Sequence, residues 1–507
     1  MKRRFALTSL LNMLGVGLSF VISFAVTPLM IRTLGAEAYG VWVLVTAFSV
    51  VSGYMSLLDL GIQSAVVKFV SESHARREID AVNQIFSSGF YLFFGIGVLG
   101  ALVLVAFAQL FLTRVFNIPA HLVEVMRLLL CVLAAQILVE FPGLIVSALL
   151  DGVQRYDLQR VIHIGYMIIN AVLLVTLLLL GYGLLAMSIT MLALTVAKVL
   201  VQVVLAQRLL PRLRLVRNFD IGLLRRVATF SGQIFLIRIN AVIYNTMDKT
   251  IIGSLLSSTQ LTTYDIANKL RNISIAPLSF ITPQVVPAAA ALNGAGDQVR
   301  LQELFLKGTK YQMALAIPVI VVVMILAERF IRVWIGPDYA YIANIARLFV
   351  VSVFLDSMIA VGQNVLIGIG RVKPMIWINV VTTAVNLSLS VYLTLKIGIE
   401  GVMWGTLIGL GLAVGPYFWF FADSLKISWV RMWREVVWPT YSVATVLAAL
   451  LYIAEDRLGL PDNFLTLGLM GLAGVGVYYL LFWTFSLSTL EREMFLETGL
   501  RAVGLRS

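Results

Sequence analysis

Charge is scarce in this 507-residue chain, and the residues that carry redox, metal or nucleophilic chemistry are scarcer still. Only 13% of the residues are Asp, Glu, Lys or Arg, about half the roughly 25% of a soluble chain. Most of the sequence therefore has no water-facing side to offer. Cys131 is the single cysteine, which excludes an intrachain disulfide and any cysteine-based zinc or redox motif. His74, His121 and His163 are the only histidines, and none is spaced as a metal pair. No nucleophile–His–acid grouping, phosphate-binding glycine loop or ATP-binding motif is present. The reading is therefore of a non-enzyme without metal or cofactor.

What the chain has in excess is apolar length. Hydrophobic residues make up 60% of it, and a spanning helix needs about 20 in a row. Apolar runs cover 8–32, 40–68, 84–112, 122–150, 160–181 and 184–207. Others cover 228–252, 264–291, 311–329, 343–367, 375–396, 401–422, 435–454 and 464–486. This predicts an all-α polytopic membrane protein of about fourteen transmembrane helices. Met1-Lys2-Arg3-Arg4 before the first run looks like the start of a signal peptide. The run from Leu10 to Ile31 is too long for one and leads into further spans, so it reads as an uncleaved first helix.

The net charge of +12 belongs to topology rather than to nucleic acid, because the cations sit in short loops and not on one folded face. With the N-terminus inside, about 24 of the 38 Lys and Arg residues fall in cytoplasmic segments and about 6 in outer ones, as the positive-inside rule requires. The inside loops hold Arg76-Arg77, Arg208 to Arg226, Arg371-Val372-Lys373 and Lys426 to Arg434. Both termini are expected in the cytoplasm, with the tail from Thr489 at the membrane surface.

Two stretches of the chain echo one another. Arg114-Val115-Phe116-Asn117-Ile118-Pro119 returns as Arg332-Val333-Trp334-Ile335-Gly336-Pro337, shifted by 218 residues. Gly35 and Gly253, and Gly183 and Gly401, keep the same shift, and Arg127-Leu128 returns as Arg347-Leu348. An even number of helices per repeat gives both copies one orientation, as in transporters whose halves flank a central site. The expected parts are two parallel-repeat six-helix bundles, 1–215 and 216–425, and two additional C-terminal helices with a tail, 426–507.

The opening pattern Ile31-Arg32-Thr33-Leu34-Gly35-Ala36-Glu37-Ala38-Tyr39-Gly40 is followed by Leu58-Asp59-Leu60-Gly61 and Leu149-Leu150-Asp151-Gly152-Val153-Gln154-Arg155. These resemble the polysaccharide transporter family of oligosaccharide-lipid flippases (the Wzx type), in the superfamily that includes the multidrug and toxic compound extruders. The resemblance runs from residue 1 to about 425, while the arginine-rich N-terminal pattern of the lipid II flippase branch is missing. It implies two six-helix bundles, alternating access, a bacterial inner-membrane location and a polyprenyl-pyrophosphate-linked oligosaccharide as cargo. It also implies, as partners, membrane lipid, a coupling proton or sodium ion, and a polysaccharide polymerase with its chain-length regulator.

Ionisable groups inside spans are the candidates for function, since each costs on the order of 2.5–3.5 kcal/mol at mid-membrane. In the seventh span Arg238, Asn245, Asp248 and Lys249 share an arc of about 100° on a helix of 3.6 residues per turn. In the eighth, Asp265, Asn268, Lys269 and Asn272 share a face with Arg271 at its edge, and Asp265 and Lys269 are spaced to pair. Arg238, Asn245, Lys249, Asn268, Lys269, Arg271 and Asn272 are the candidate substrate-binding set; for Lys249 and Asp265 the alternative is snorkelling at the interface. Glu140 and Asp356, near mid-membrane in repeat-mate helices, are candidate ion-coupling residues, with a silent carboxylate–arginine pair as the alternative. Asp59 is a third, balanced against a packing or gating role. Pro28, Pro142-Gly143, Pro277, Pro283 and Pro287 are placed to break or bend helices. The cationic excess in these spans favours an anionic cargo. An ion-coupled extruder of organic cations would want an acidic cavity instead, and a membrane glycan polymerase or ligase would want larger outer loops.

Overall fold

The computed structural model describes residues 2–51, 53–216, 239, 242–244, 246–457 and 461–502. Among these there are helices and turns and no strand. Among the described residues, twelve helices are long and apolar enough to cross a membrane, so the chain is a multi-pass membrane protein. The two remaining runs of the sequence behave differently. Run 40–68 is not one helix, and run 228–252 falls largely outside the described residues.

The chain divides into two compact units, Met1–Thr262 and Thr263–Ser507. In the first, α1 (Lys2–Leu34) is followed by α2 (Ala36–Thr46), a 3-10 turn (Tyr54–Asp59) and α3 (Ile62–Ala75). Then come α4 (Ile79–Leu110), the single turn α5 (Leu112–Val115), α6 (Ala120–Gly152), α7 (Tyr156–Leu179), α8 (Leu184–Leu209) and α9 (246–255). Helix α6 is the centre of this unit and packs against α3, α4 and α8, while α1 lies on α7. It runs unbroken through Pro142, although that residue supplies no N–H to the helix ladder.

The break in the second run comes from the backbone. Leu60 and Gly61 both take positive φ, 50° and 78°, a left-handed pair that no helix can pass through. Asp59 Oδ1 accepts the Gln63 amide at 3.0 Å, satisfying one of the open N–H groups at the start of α3. Leu58-Asp59-Leu60-Gly61 is thus a turn-and-cap device. Gly40 has a different reason to be glycine, because a Cβ there would collide with the backbone of Ser258.

The second unit contains most of α10 (Ser258–Ile275), a 3-10 turn (Ala276–Phe280), α11 (Thr282–Gly294), α12 (Gln298–Trp334) and α13 (Ile342–Gly368). It continues through α14 (Lys373–Ile397), α15 (Ile399–Leu425), the short α16 (Trp429–Met432), α17 (Trp438–Arg457), α18 (Phe464–Leu481) and α19 (Thr489–Ala502). Pro277 and Pro283 begin new helical segments, which is why the eighth run is split. Pro28 and Pro287 lie inside helices. The 37-residue α12 is the spine and packs against α13, α17 and α18.

Helices α14 and α15 touch along a stripe of small residues. A Cβ on Gly401, Gly405 or Gly409 would stand within 3.0 Å of atoms of α14, including the Ser390 backbone at 2.7 Å. Lipid provides no hydrophobic drive between helices, so close backbone approach of this kind is what holds such a pair.

The chain ends by folding back on the spine. Glu491 of α19 accepts from Lys310 Nζ at 2.9 and 3.0 Å and from Tyr311 Oη at 2.9 Å. Ser488 and Glu491 also cap α19 reciprocally, the Ser488 amide donating to Glu491 at 2.8 Å and the Glu491 amide to Ser488 at 3.3 Å, the S-x-x-E capping box. Burial works against the Glu491 carboxylate, but the Ser488 amide, Lys310 and Tyr311 outweigh it and hold its pKa below the ordinary value.

Two outcomes are expected. Gly405→Val should lower the thermal stability of the purified protein by about 1–3 kcal/mol, the usual penalty for overpacking. Gly411→Ala, where a Cβ meets nothing within 4 Å, should leave it unchanged. For the tail, a depressed folded-state pKa means that the docking energy is complete above the usual glutamate value of about 4.3 and lost as pH falls through the lower folded value. Limited proteolysis should find α19 protected at neutral pH and released only in acid, whereas Glu491→Gln should release it at neutral pH. Equal protection of both proteins at neutral pH would show that the clasp does not hold the tail.

Candidate functional site

In the first unit a polar ladder crosses α6, α7 and α8. Glu140, 6% exposed, accepts from Lys198 Nζ at 3.2 Å and from Gln136 Nε2 at 3.2 Å. The Lys198 ammonium also stands 5.3 Å from the centre of the Tyr166 ring, within cation–π range. Further along, Gln202 Nε2 donates to Gln159 Oε1 at 2.8 Å, and Gln159 Nε2 donates to the Ser147 hydroxyl at 2.6 Å and carbonyl at 2.9 Å. Buried charge is tolerated when it is both paired and hydrogen-bonded, and the ladder satisfies both conditions.

The sequence singled out Glu140 but did not pair it with Lys198. A signal was there. Glu140 lies 12 residues before the end of α6 at Gly152, and Lys198 lies 11 before the end of α8 at Leu209. At 1.5 Å per residue these are depths of about 18 and 17 Å. Counting back from the helix ends sets the two residues level. Tyr166, Gln159 and Gln202 were missed because neutral polar side chains are common in transmembrane helices and carry no charge cost to flag them.

Lys249, in α9, donates to the Thr46 hydroxyl at 3.0 Å, and Asp248 beside it is 7% exposed. Nearby, the Tyr54 hydroxyl shares a 2.6 Å hydrogen bond with Thr250. Arg238 and Asn245, the other members of that predicted face, lie outside the described residues.

In the second unit Lys269 and Asp265 form the expected i,i+4 pair at 3.2 Å. Asn268 and Asn272 are half-buried on the same helix. Arg271 reaches α13, where its Nη2 is 3.6 Å from Asp356 and its Nε donates to the Ser352 hydroxyl at 3.3 Å. The first contact is an ion pair longer than the 2.7–2.9 Å of a charge-assisted hydrogen bond. Asp356 stands 12 residues before the end of α13 at Gly368, the same distance that separates Glu140 from the end of α6. Each of these two carboxylates is answered by a cation from a neighbouring helix, Lys198 in one unit and Arg271 in the other. Of the candidate set, Lys269 and Arg271 are therefore each matched by a carboxylate, and a simple excess of positive charge does not describe them. Among the described residues no three His, Cys, Asp or Glu side chains cluster to hold a metal.

This arrangement, apolar spanning helices tied by buried ion pairs within each unit, is that of a polytopic membrane protein. The fold is that of the lipid II flippase MurJ in its inward closed conformation, with a TM-score of 0.72 at 13% identity over 94% of this chain and 99% of that one. An inward-facing multidrug resistance MATE family transporter of the MOP superfamily matches at 0.64, with 16% identity over 80% of this chain and 94% of that one. An outward-facing structure of such a transporter matches at 0.55, with 16% identity over 83% and 95%. No curated protein matches the sequence. The family described as polysaccharide biosynthesis protein matches residues 29–344, and the chain belongs to it.

The ladder predicts a non-additive stability pattern. Lys198→Met and Glu140→Gln should each destabilise, Lys198→Met by about 3–5 kcal/mol because it strands a buried carboxylate. The double variant should be more stable than Lys198→Met alone. Thermal unfolding in detergent across the four proteins measures this, and simple additivity would mean that the pair is not coupled.

Proposed function

We propose that this protein is a flippase that carries a polyprenyl-pyrophosphate-linked oligosaccharide across the bacterial inner membrane by alternating access, for O-antigen, capsule or exopolysaccharide synthesis. The observation that supports it most is membership of the polysaccharide biosynthesis family across residues 29–344, on a fold shared with a lipid II flippase. The lobes are read as 1–215 and 216–425, with the last two helices and tail, 426–507, added to them, and both termini in the cytoplasm on the strength of the basic loops.

Arg271 and Lys269 are the groups to which we assign the pyrophosphate, with Asn268 and Asn272 on the same helix; Arg238, Asn245 and Lys249 complete the substrate-binding set that we propose. The Arg271–Asp356 contact of 3.6 Å leaves room for a phosphate oxygen to compete, and a guanidinium fork suits that geometry. Glu140 and Asp356 are assigned to coupling, because loading a proton or sodium ion on either carboxylate weakens its hold on Lys198 or Arg271. Asp59, which also caps α3, is the third coupling position. A polymerase and chain-length regulator are the partners such a flippase would feed.

The MATE-type fold and the acidic partners in the spans favour a second reading, an ion-coupled extruder of organic cations. Proteoliposomes separate the two. The protein should move a labelled polyprenyl-pyrophosphate oligosaccharide and not a labelled organic cation. Arg271→Ala should slow transfer by about tenfold, the worth of one hydrogen bond to a charged group, and Arg271→Lys should slow it less. Movement of the organic cation alone, or unchanged lipid transfer in Arg271→Ala and Lys269→Ala together, would refute the assignment.

A further inference from the structure

A cavity of about 520 Å³ opens in the second unit between the first half of α12, the segment leading into α17 and the α18–α19 corner. Two stretches of π-helix border it, Trp433–Val437 and Phe482–Ser486, the kind of irregularity that often marks a functional site. Lys307, Lys310 and Arg434 supply its cations, Glu435 and Glu491 its carboxylates, and Leu490 and other apolar residues the rest of its wall.

The charges do not all remain available. Glu491 is held by Lys310 at 2.9 Å and Glu435 by Arg431 at 2.9 Å, while Lys307 faces Glu303 at 3.1 Å. Among the described residues no carboxylate lies within ion-pair distance of Arg434, whose side chain is exposed and borders the cavity. The depth of the site is marked independently. Trp429, Trp433 and Trp438 are 50, 60 and 64% exposed on the same segment, and indoles placed this way gather at the boundary between hydrocarbon and water. Leu490, 78% exposed, offers apolar surface beside the polar mouth.

We infer that this cavity is a binding site for the phosphate headgroup of an anionic phospholipid, with Arg434 as its principal contact and an acyl chain lying along Leu490. A guanidinium fork at headgroup depth fits a phosphodiester, and basic pockets between transmembrane helices select anionic lipids. A zwitterionic headgroup would bring an ammonium beside Lys307, Lys310 and Arg434, while the carboxylates that could offset this repulsion, Glu491 and Glu435, are held by Lys310 and Arg431. The site is separate from the residues assigned to cargo, and its test does not depend on what is transported.

The full-length protein in detergent, titrated with phosphatidylglycerol or phosphatidylcholine, gives the answer by native mass spectrometry and thermal unfolding. Phosphatidylglycerol should be retained and should raise the melting temperature, and phosphatidylcholine should do neither. Arg434→Ala should weaken retention by about tenfold, Arg434→Lys should weaken it less, and Lys426→Ala, a cation of the same loop outside the cavity, should have no effect. Equal retention in Arg434→Ala and the unaltered protein would overturn the inference. So would an equal loss in Lys426→Ala, which would mean diffuse charge attraction, or equal stabilisation by water-soluble glycerol phosphate, which would mean a free-phosphate site.

Discussion

A charge buried among apolar helices has to be answered within reach of its own side chain, and this constraint organises both halves of the molecule. Lys198 crosses from α8 to Glu140 on α6, and Arg271 crosses from α10 to Asp356 on α13. Each pair ties two helices together at a set depth and so fixes their register as well as their contact. Around these fixed points, packing is supplied by shape. Glycines let α14 and α15 approach backbone to backbone, and α6 presents buried residues on most of its circumference to three neighbours.

The same pairs bear on the transport that we propose. A site made only of cations would hold an anionic cargo tightly and release it poorly. On the function proposed here, a cation already facing a carboxylate would meet its cargo as an exchange of partners, in which the incoming phosphate displaces an anion that is present throughout. The gain on binding is then the difference between two interactions and not the whole of one, which suits a protein that must let go.

Much of this was legible in the sequence. Apolar run lengths gave twelve of the fourteen expected spans among the described residues, and the Asp265–Lys269 spacing gave an ion pair that is present. Two kinds of feature were not legible. Leu58-Asp59-Leu60-Gly61 sits within a run apolar enough to read as one helix, yet left-handed backbone at Leu60 and Gly61 ends it there; hydropathy weighs side chains and is blind to φ. Contacts between distant segments were the other kind. Arg271 was placed at the edge of its helix face, and only the packing of α10 on α13 shows that this edge points to Asp356. Lys310 and Glu491 lie 181 residues apart, and no local periodicity links them.

That separation has a consequence in time. Lys310 leaves the ribosome 181 residues before Glu491 does, so α12 enters the bilayer with this lysine unmatched near its basic end. While synthesis continues, water or lipid headgroups must stand in for the missing carboxylate. The spine of the second unit is therefore laid down early but locked last, by the return of the tail.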